Sequence, residues 1–355
     1  MKSKIITAVV ALVIVVLMGM GYQSTARHHS HEPAGEVDVK ELIFDHLGDA
    51  YGWEVPFNHS QSIPLPIIVW GKDGLHCFMS NRITGGETYE GYKISTSEDY
   101  HGKVVQVLDD GSEYRPWDFS ITKNVAGIAI AAVLVIVMVM SLKRWYARNG
   151  MKAPRRLKGA LELVVDFVYT DTIRPILGKN APKYASYLMT AFFFILTMNL
   201  LGLIVIFPGG ANLTGNIAVT LVLAVLTFLI TNFSGTKEYW KEIFWPEVPL
   251  FLKAYPVPVM PVIELFGVFT KPFALMIRLF ANMMAGHAVI LSFTCVIFLG
   301  WSMGVGFGLG LNAFSIIMLL FMNALEVLVA FVQAYVFTML SAVFIGLAHK
   351  EHHAE

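Results

Sequence analysis

The sequence predicts an all-α integral membrane protein with about five membrane helices, the last two long and steeply tilted. A small extramembrane domain precedes them. Three observations carry this prediction. Of the 355 residues, 55% are hydrophobic, and the mean hydropathy is +0.60. Several apolar runs reach about 20 residues, enough to cross a hydrocarbon layer of ~30 Å. The charges are unevenly distributed along the chain although they sum to zero. A zero balance offers no bulk-charge argument for nucleic acid. Cys77 lies in a polar segment and Cys295 in an apolar run, so the two are not expected to pair, and no zinc spacing exists.

Residues 1–26 open with two lysines before an apolar stretch of about 16 residues that ends near Ser24, Thr25 and Ala26. This reads as a secretory signal peptide, with an uncleaved anchor helix as the alternative. Either places residue 27 outside the cytoplasm. Residues 27–118 are polar and mixed, and are expected to form a small α/β-like extracytoplasmic domain. "KVVQVLDDGSEYR" predicts strand, turn and strand, and "DHLGDAYGW" (45–53) the end of a short amphipathic helix. "HHSHE" (28–32) is read as a solvated terminus. Histidines so close in sequence lack the separated spacing of a structural metal site.

The membrane domain is expected over 119–348. A first span covers about 120–142. Residues 143–183 then hold ten Lys/Arg against three acidic residues, which marks a cytoplasmic loop. A second span covers about 184–207, and the uncharged "PGGANLTGN" (208–216) fits the outer side. A third span covers about 217–234. Residues 235–261 carry three lysines, two tryptophans and five prolines and should lie at the cytoplasmic interface. Two long apolar stretches remain, about 259–300 and 311–348, joined by the uncharged "GWSMGVGFGLGLN". The tail, 349–355, falls in the cytoplasm. Some 40 helical residues measure ~60 Å, twice the hydrocarbon thickness. A broken pair, a projecting helix and a steep tilt all accommodate that length. Polar residues are too sparse for projection, and Pro272 has no turn cluster beside it, so a steep tilt is expected.

Ionisable side chains within spans cost roughly 2.5–3.5 kcal/mol and are functional candidates by default. Here they are Glu264, Lys271, Arg278, His287 and Glu326, with the amides Asn282 and Gln333. At 100° per residue, Glu264, Lys271, Arg278 and Asn282 share one stripe within about 40°. His287 lies about 180° from Arg278, and Glu326 and Gln333 share a face. Lys271, near the cytoplasmic end, is read as snorkelling. Asn282 and Gln333 also fit the role of interhelical hydrogen-bond glue. Arginine does not deprotonate, so Arg278 fits a fixed barrier charge. Histidine and glutamate can carry protons.

"KPFALMIRLFANMMAGHAVI" (271–290), "EVLVAFVQAYVFTML" (326–340) and "TMNLLGLIVIFPGGANLTGNIAVT" (197–220) together resemble the a subunit of F-type ATP synthases, in the family's order, over about 119–348. The resemblance implies a near-horizontal pair of tilted helices embracing a c-subunit ring. It also implies assembly with b subunits and the rest of the synthase, in lipid of a bacterial-type plasma membrane. Arg278 takes the place of the essential arginine, with Asn282 and Gln333 as polar neighbours and Glu264 near the cytoplasmic exit. His287 stands where some bacterial members have glutamate, and Glu326 where those have histidine. This reciprocal exchange keeps one acid and one imidazole, and implies that the two are close. The 118 preceding residues depart from the family core. No G-x-x-x-x-G-K-[ST] motif exists, so ATP chemistry is expected in partner subunits, and neither a cofactor nor nucleic acid is expected. An ion-coupled secondary transporter is the alternative, disfavoured because no internal repeat is seen. A metalloprotease lacks its H-E-x-x-H.

Overall fold

A computed structural model of the chain describes residues 48–349, leaving out 56–57, 84–85, 98, 109, 151, 205–209, 246–258 and 303–304. The expected signal or anchor segment, "HHSHE", and residues 350–355 of the tail lie outside the described residues. The described chain forms two compact units, one of strands and one of helices.

The β unit holds eight strands among the described residues: β1 (Gly52–Val55), β2 (Asn58–Pro64), β3 (Pro66–Gly71), β4 (Gly74–Met79), β5 (Tyr92–Ile94), β6 (Val104–Val107), β7 (Glu113–Tyr114) and β8 (Trp117–Asp118). They form three small antiparallel sheets, β1-β2, β4-β3-β8 and β5-β6-β7. The strand–turn–strand reading of 103–115 corresponds to β6 and β7, with Gln106 opposite Tyr114. The helix end expected over 45–53 does not appear among its described residues. Gly52–Val55 is instead a strand, because Tyr51 and Trp53 alternate into the interior while β2 satisfies the backbone. Apart from one 3₁₀ turn at Ser80–Arg82, the described part of this unit is strand and turn rather than an α/β mixture.

Its core gathers Tyr51, Ile67, Val69, Phe78, Ile83, Tyr92 and Val104. Gly71 must be glycine, since an added Cβ would lie 2.1 Å from the Tyr92 hydroxyl. The Tyr51 hydroxyl donates to Asp118, and burial, reinforced by that carboxylate, pushes the phenol well above its ordinary range. Lys93 Nζ lies 2.8 Å from Glu113 Oε1, while the Ser95 and Ser97 hydroxyls donate to Oε2 at 2.5 and 2.9 Å. The Lys93 ammonium and then the two hydroxyls hold the Glu113 carboxyl at about 2.

The helices are α1 (Lys123–Asn149), α2 (Leu157–Asp166), a π-helical stretch Phe167–Ile173, α3 (Arg174–Leu177), a 3₁₀ turn Gly178–Asn180, α4 (Ala181–Leu203), α5 (Ile217–Phe233), α6 (Lys237–Phe244), α7 (Val259–Ser302) and α8 (Val305–Ala348). α1, α4, α7 and α8 contain segments long and apolar enough to cross a membrane. α5, at 17 residues, meets the lower limit for a span. The basic loop over 143–183 is largely helical. "LKGALELVVD" carries a helical apolar pattern that its flanking charges obscured.

α5 starts where Asn216 accepts a hydrogen bond from the Ala218 N–H, and α6 where Thr236 accepts from Tyr239. The chain bends by 102° between these two helices, so the amphipathic α6 turns away from the span axis. α7 and α8 each run 44 residues, about 66 Å. Pro272 lies inside α7 without interrupting it, which excludes the broken-pair reading of that stretch. A helix this long keeps its apolar length within a ~30 Å layer only by tilting steeply. Most of the expected turn at 300–312 is helix as well: α7 continues to Ser302 and α8 begins at Val305. α8 packs along α7 and α4, and α7 also packs on α5.

Candidate functional site

α7 buries one stripe, Val268, Leu275, Met276, Leu279 and Met283, whose spacing of three, four and seven residues is that of a helix face. Arg278 falls beside this stripe and is exposed. It makes no hydrogen bond or ion pair with another described residue. Ala274 and Ala281, one turn before and after it on the same face of α7, are exposed too. Asn282 and Glu264 are half-buried, likewise without a hydrogen-bond partner among the described residues. Lys271, read as snorkelling, has its Nζ 5.9 Å from the Phe344 ring centroid on α8, within reach of a cation–π contact.

His287 lies on the other side of the stripe, and α8 presents Glu326 to it. His287 Nδ1 is 2.6 Å from Glu326 Oε1. The same nitrogen lies 3.1 Å from the Met283 carbonyl, and Nε2 lies 3.4 Å from the Gly202 carbonyl on α4. A ring whose two nitrogens both face oxygens can donate from both only as the cation. Glu326 is 4% exposed, and neither of its oxygens has an aligned hydrogen-bond donor among the described residues. Contact with His287 is thus ionic and poorly directed, and a buried carboxylate so placed is costly unless a proton or a positive charge accompanies it. Gln333, two turns along α8, is buried with its amide unpaired among the described residues. The structure therefore brings His287 and Glu326 together, and among the described residues Arg278, Asn282, Glu264 and Gln333 make no hydrogen bond or ion pair with one another.

Two features of this region were not singled out from the sequence. Gly286 faces the Glu326 carboxylate: a Cβ there would lie 2.8 Å from Oε1 and 3.2 Å from Cδ. A small residue beside a histidine in an apolar helix gives no sign of this, because the partner is 40 residues away. The second is a buried polar knot. Asn199 on α4 donates from Nδ2 to the Ala330 carbonyl at 3.1 Å and accepts from the Thr214 hydroxyl at 2.7 Å. The Asn212 Nδ2 is buried without a partner among the described residues. A lone amide in the apolar run "FFFILTMNLLGL" was the available signal. The knot pins the 212–216 turn and α4 to α8, one helical turn from Glu326.

A family model described as ATP synthase A chain matches residues 126–346. The chain belongs to that family. A second model, described as a domain of unknown function (DUF8433), matches residues 42–119. Curated relatives carry matching names. "ATP synthase subunit a 2" of Chlorobaculum tepidum is 45% identical over 247 residues, 68% of this chain and 67% of that one. Its namesake in Prosthecochloris aestuarii is 42% identical over 242 residues, 67% of this chain and 72% of that one. "ATP synthase subunit a" of Anaeromyxobacter dehalogenans is 36% identical over 337 residues, 91% of this chain and 79% of that one. Family membership bears out the resemblance drawn from the three motifs, and lends no support to the secondary-transporter alternative.

Proposed function

We propose that this chain is the proton-conducting a subunit of an F-type ATP synthase, with His287 and Glu326 on the inlet side and Arg278 facing the rotor. It is a multi-pass membrane protein of a family named for ATP synthase, and it works assembled with other subunits of that complex. Nucleotide chemistry belongs to those partners, and the subunit itself is non-catalytic.

The observation that carries the site assignment is the exposure of Arg278 in the middle of an apolar helix. A permanent cation facing lipid there would cost roughly 2.5–3.5 kcal/mol. An anionic partner surface removes that cost, and the carboxylates of a c-subunit ring are such a surface. A proton from outside reaches the Glu326–His287 pair and passes to a ring carboxylate. It then travels with the rotor and leaves past Glu264. Arg278 holds each arriving carboxylate in its charged form. It also blocks direct leakage, because a guanidinium cannot relay a proton. Asn282 and Gln333 line the intervening path with hydrogen-bonding groups that do not titrate.

In the same reading the b subunits flank the helices. Residues 1–26 are a signal peptide or anchor, and 27–118 form a domain outside a bacterial-type plasma membrane. The basic loop and residues 349–355 then lie in the cytoplasm. Arg278→Ala tests the central claim. The complex should assemble with normal subunit stoichiometry and lose proton-coupled ATP synthesis. Coupled synthesis persisting in that variant would show that the barrier lies elsewhere.

A further inference from the structure

We infer that the outer face of the β4-β3-β8 sheet is a membrane-contacting surface that lies on the lipid leaflet from which α1 descends. The inference starts from strand register. Ile67 and Val69 of β3 point into the core and are fully buried, so Pro66, Ile68 and Trp70 point the other way. Trp70 stands between Leu75 of β4 and Trp117 of β8. Ile68 pairs with Cys77, and its carbonyl accepts the Phe119 N–H at 2.8 Å. Pro66 pairs with Met79, and its carbonyl accepts the Ile121 N–H at 3.1 Å.

These three cross-strand rows contain no charged residue. Trp117 is 73% exposed, Leu75 65%, Phe119 60% and Trp70 59%. The face measures about 10 Å across three strands and about 13 Å along them before side chains are counted. With its side chains this is a contiguous apolar patch of the kind that marks a binding surface.

The start of α1 decides what covers it. Only Thr122 separates Ile121, in the last row, from Lys123, the first residue of a spanning helix. The Lys123 N–H donates to the Ala50 carbonyl at 2.9 Å, and the Asn124 N–H to Asp49 Oδ1 at 3.1 Å. The sheet is therefore fastened to the point where the chain enters the bilayer, with no linker to lift it into bulk water. Tryptophan rings concentrate at this depth, where one edge is apolar and the other wet. Beyond the tryptophan row, Arg115 is exposed and placed to meet lipid phosphates, while Lys72, in the turn between β3 and β4, has its Nζ 5.0 Å from the Tyr114 ring centroid. A bilayer surface matches this order of apolar, aromatic and cationic groups.

Cys77 supplies the probe position, being exposed in the middle row of the face, on the edge strand β4. The test uses the assembled synthase, with its other reactive cysteines replaced, in vesicles of phosphatidylcholine and phosphatidylglycerol. An environment-sensitive thiol fluorophore on Cys77 should emit as in an apolar medium. Lipids carrying a nitroxide near the top of the acyl chain should quench it several-fold more than aqueous iodide does. Trp70→Ser with Trp117→Ser removes two exposed side chains without opening the core, and should bring the two quenching efficiencies to parity. Preferential quenching by iodide in the unsubstituted protein would place the face in water and overturn the inference. Protection from both quenchers would show that another protein covers it, which overturns the inference equally. Unchanged lipid quenching in the double variant would remove the tryptophans from the contact and with them the proposed orientation.

Discussion

Gly286→Ala is the smallest change that separates the His287–Glu326 pair without altering either residue. The new methyl carbon would lie 2.8 Å from Glu326 Oε1, about 0.6 Å inside ordinary contact. Helix α7 cannot retreat, because Leu279 and Met283 on its adjoining face are buried. The carboxylate must therefore move, and the 2.6 Å contact with His287 opens. Overpacking of this kind costs about 1–3 kcal/mol. If all of it falls on proton transfer between the pair, conduction slows by roughly 5- to 150-fold. The assay is proton flux driven by an imposed gradient in vesicles containing the complex, with subunit stoichiometry checked by gel. Glu326→Asp shortens the acid by one methylene, so the Gly286→Ala/Glu326→Asp double variant should conduct faster than Gly286→Ala alone. Undiminished flux in Gly286→Ala would refute the claim that Glu326 must keep its present position. A slow single variant with no relief from aspartate would assign the defect to the helix instead of the carboxylate.

Three further outcomes are expected. Exchanging the pair, His287→Glu with Glu326→His, should retain more ATP-driven proton pumping than either single change, since of these variants the double one alone keeps one acid and one imidazole at the two positions in contact; equal or lower pumping would argue against a working pair. Asn199→Leu strands the buried Thr214 hydroxyl and should lower thermal stability by about 1–3 kcal/mol, most of it recovered in Asn199→Leu/Thr214→Val, where both partners become apolar. Glu113, held at about 2 when folded, stabilises the β unit fully above its unfolded value of 4.5, and this contribution is lost as pH falls from there through about 2. Amide-exchange protection factors at Val104–Val107 in the full chain, taken against the intrinsic rate at each pH, should fall over that window, and Glu113→Gln should flatten the response.

The positions of the helices were legible from apolar run lengths. The 44-residue extents of α7 and α8 follow from stretches too long to cross once, with nothing but Pro272 to break them. The α2 helix was obscured because ten basic residues between 143 and 183 argued for a loop, while charge density reports topology rather than backbone conformation. In the β unit, the sequence marked the β6–β7 hairpin through its Asp-Gly turn. The β3–β8 pairing spans nearly 50 residues, and no local pattern announces it. Gly52–Val55, at the close of the stretch read as a helix end, is a strand, because burial of Tyr51 and Trp53 has a period of two.

Within the candidate site, the angular period of α7 separated Arg278 from His287, and the motif resemblance pointed to Glu326 as the partner of His287. Periodicity is a property of one helix and can be read from one segment. It cannot supply the rotation and axial offset of a second helix against the first. Those are set by how Leu275, Leu279 and Met283 pack, and they fix the 2.6 Å contact, the space that Gly286 leaves for Glu326, and the reach of Asn199 to Ala330. The sequence by itself thus determined that this chain lies in a membrane, which residues bear charge there, and on which helical faces. Only the tertiary structure decided which of those faces meet, because the contact is made by side chains about 40 or more residues apart, whose separation depends on every packed layer between them.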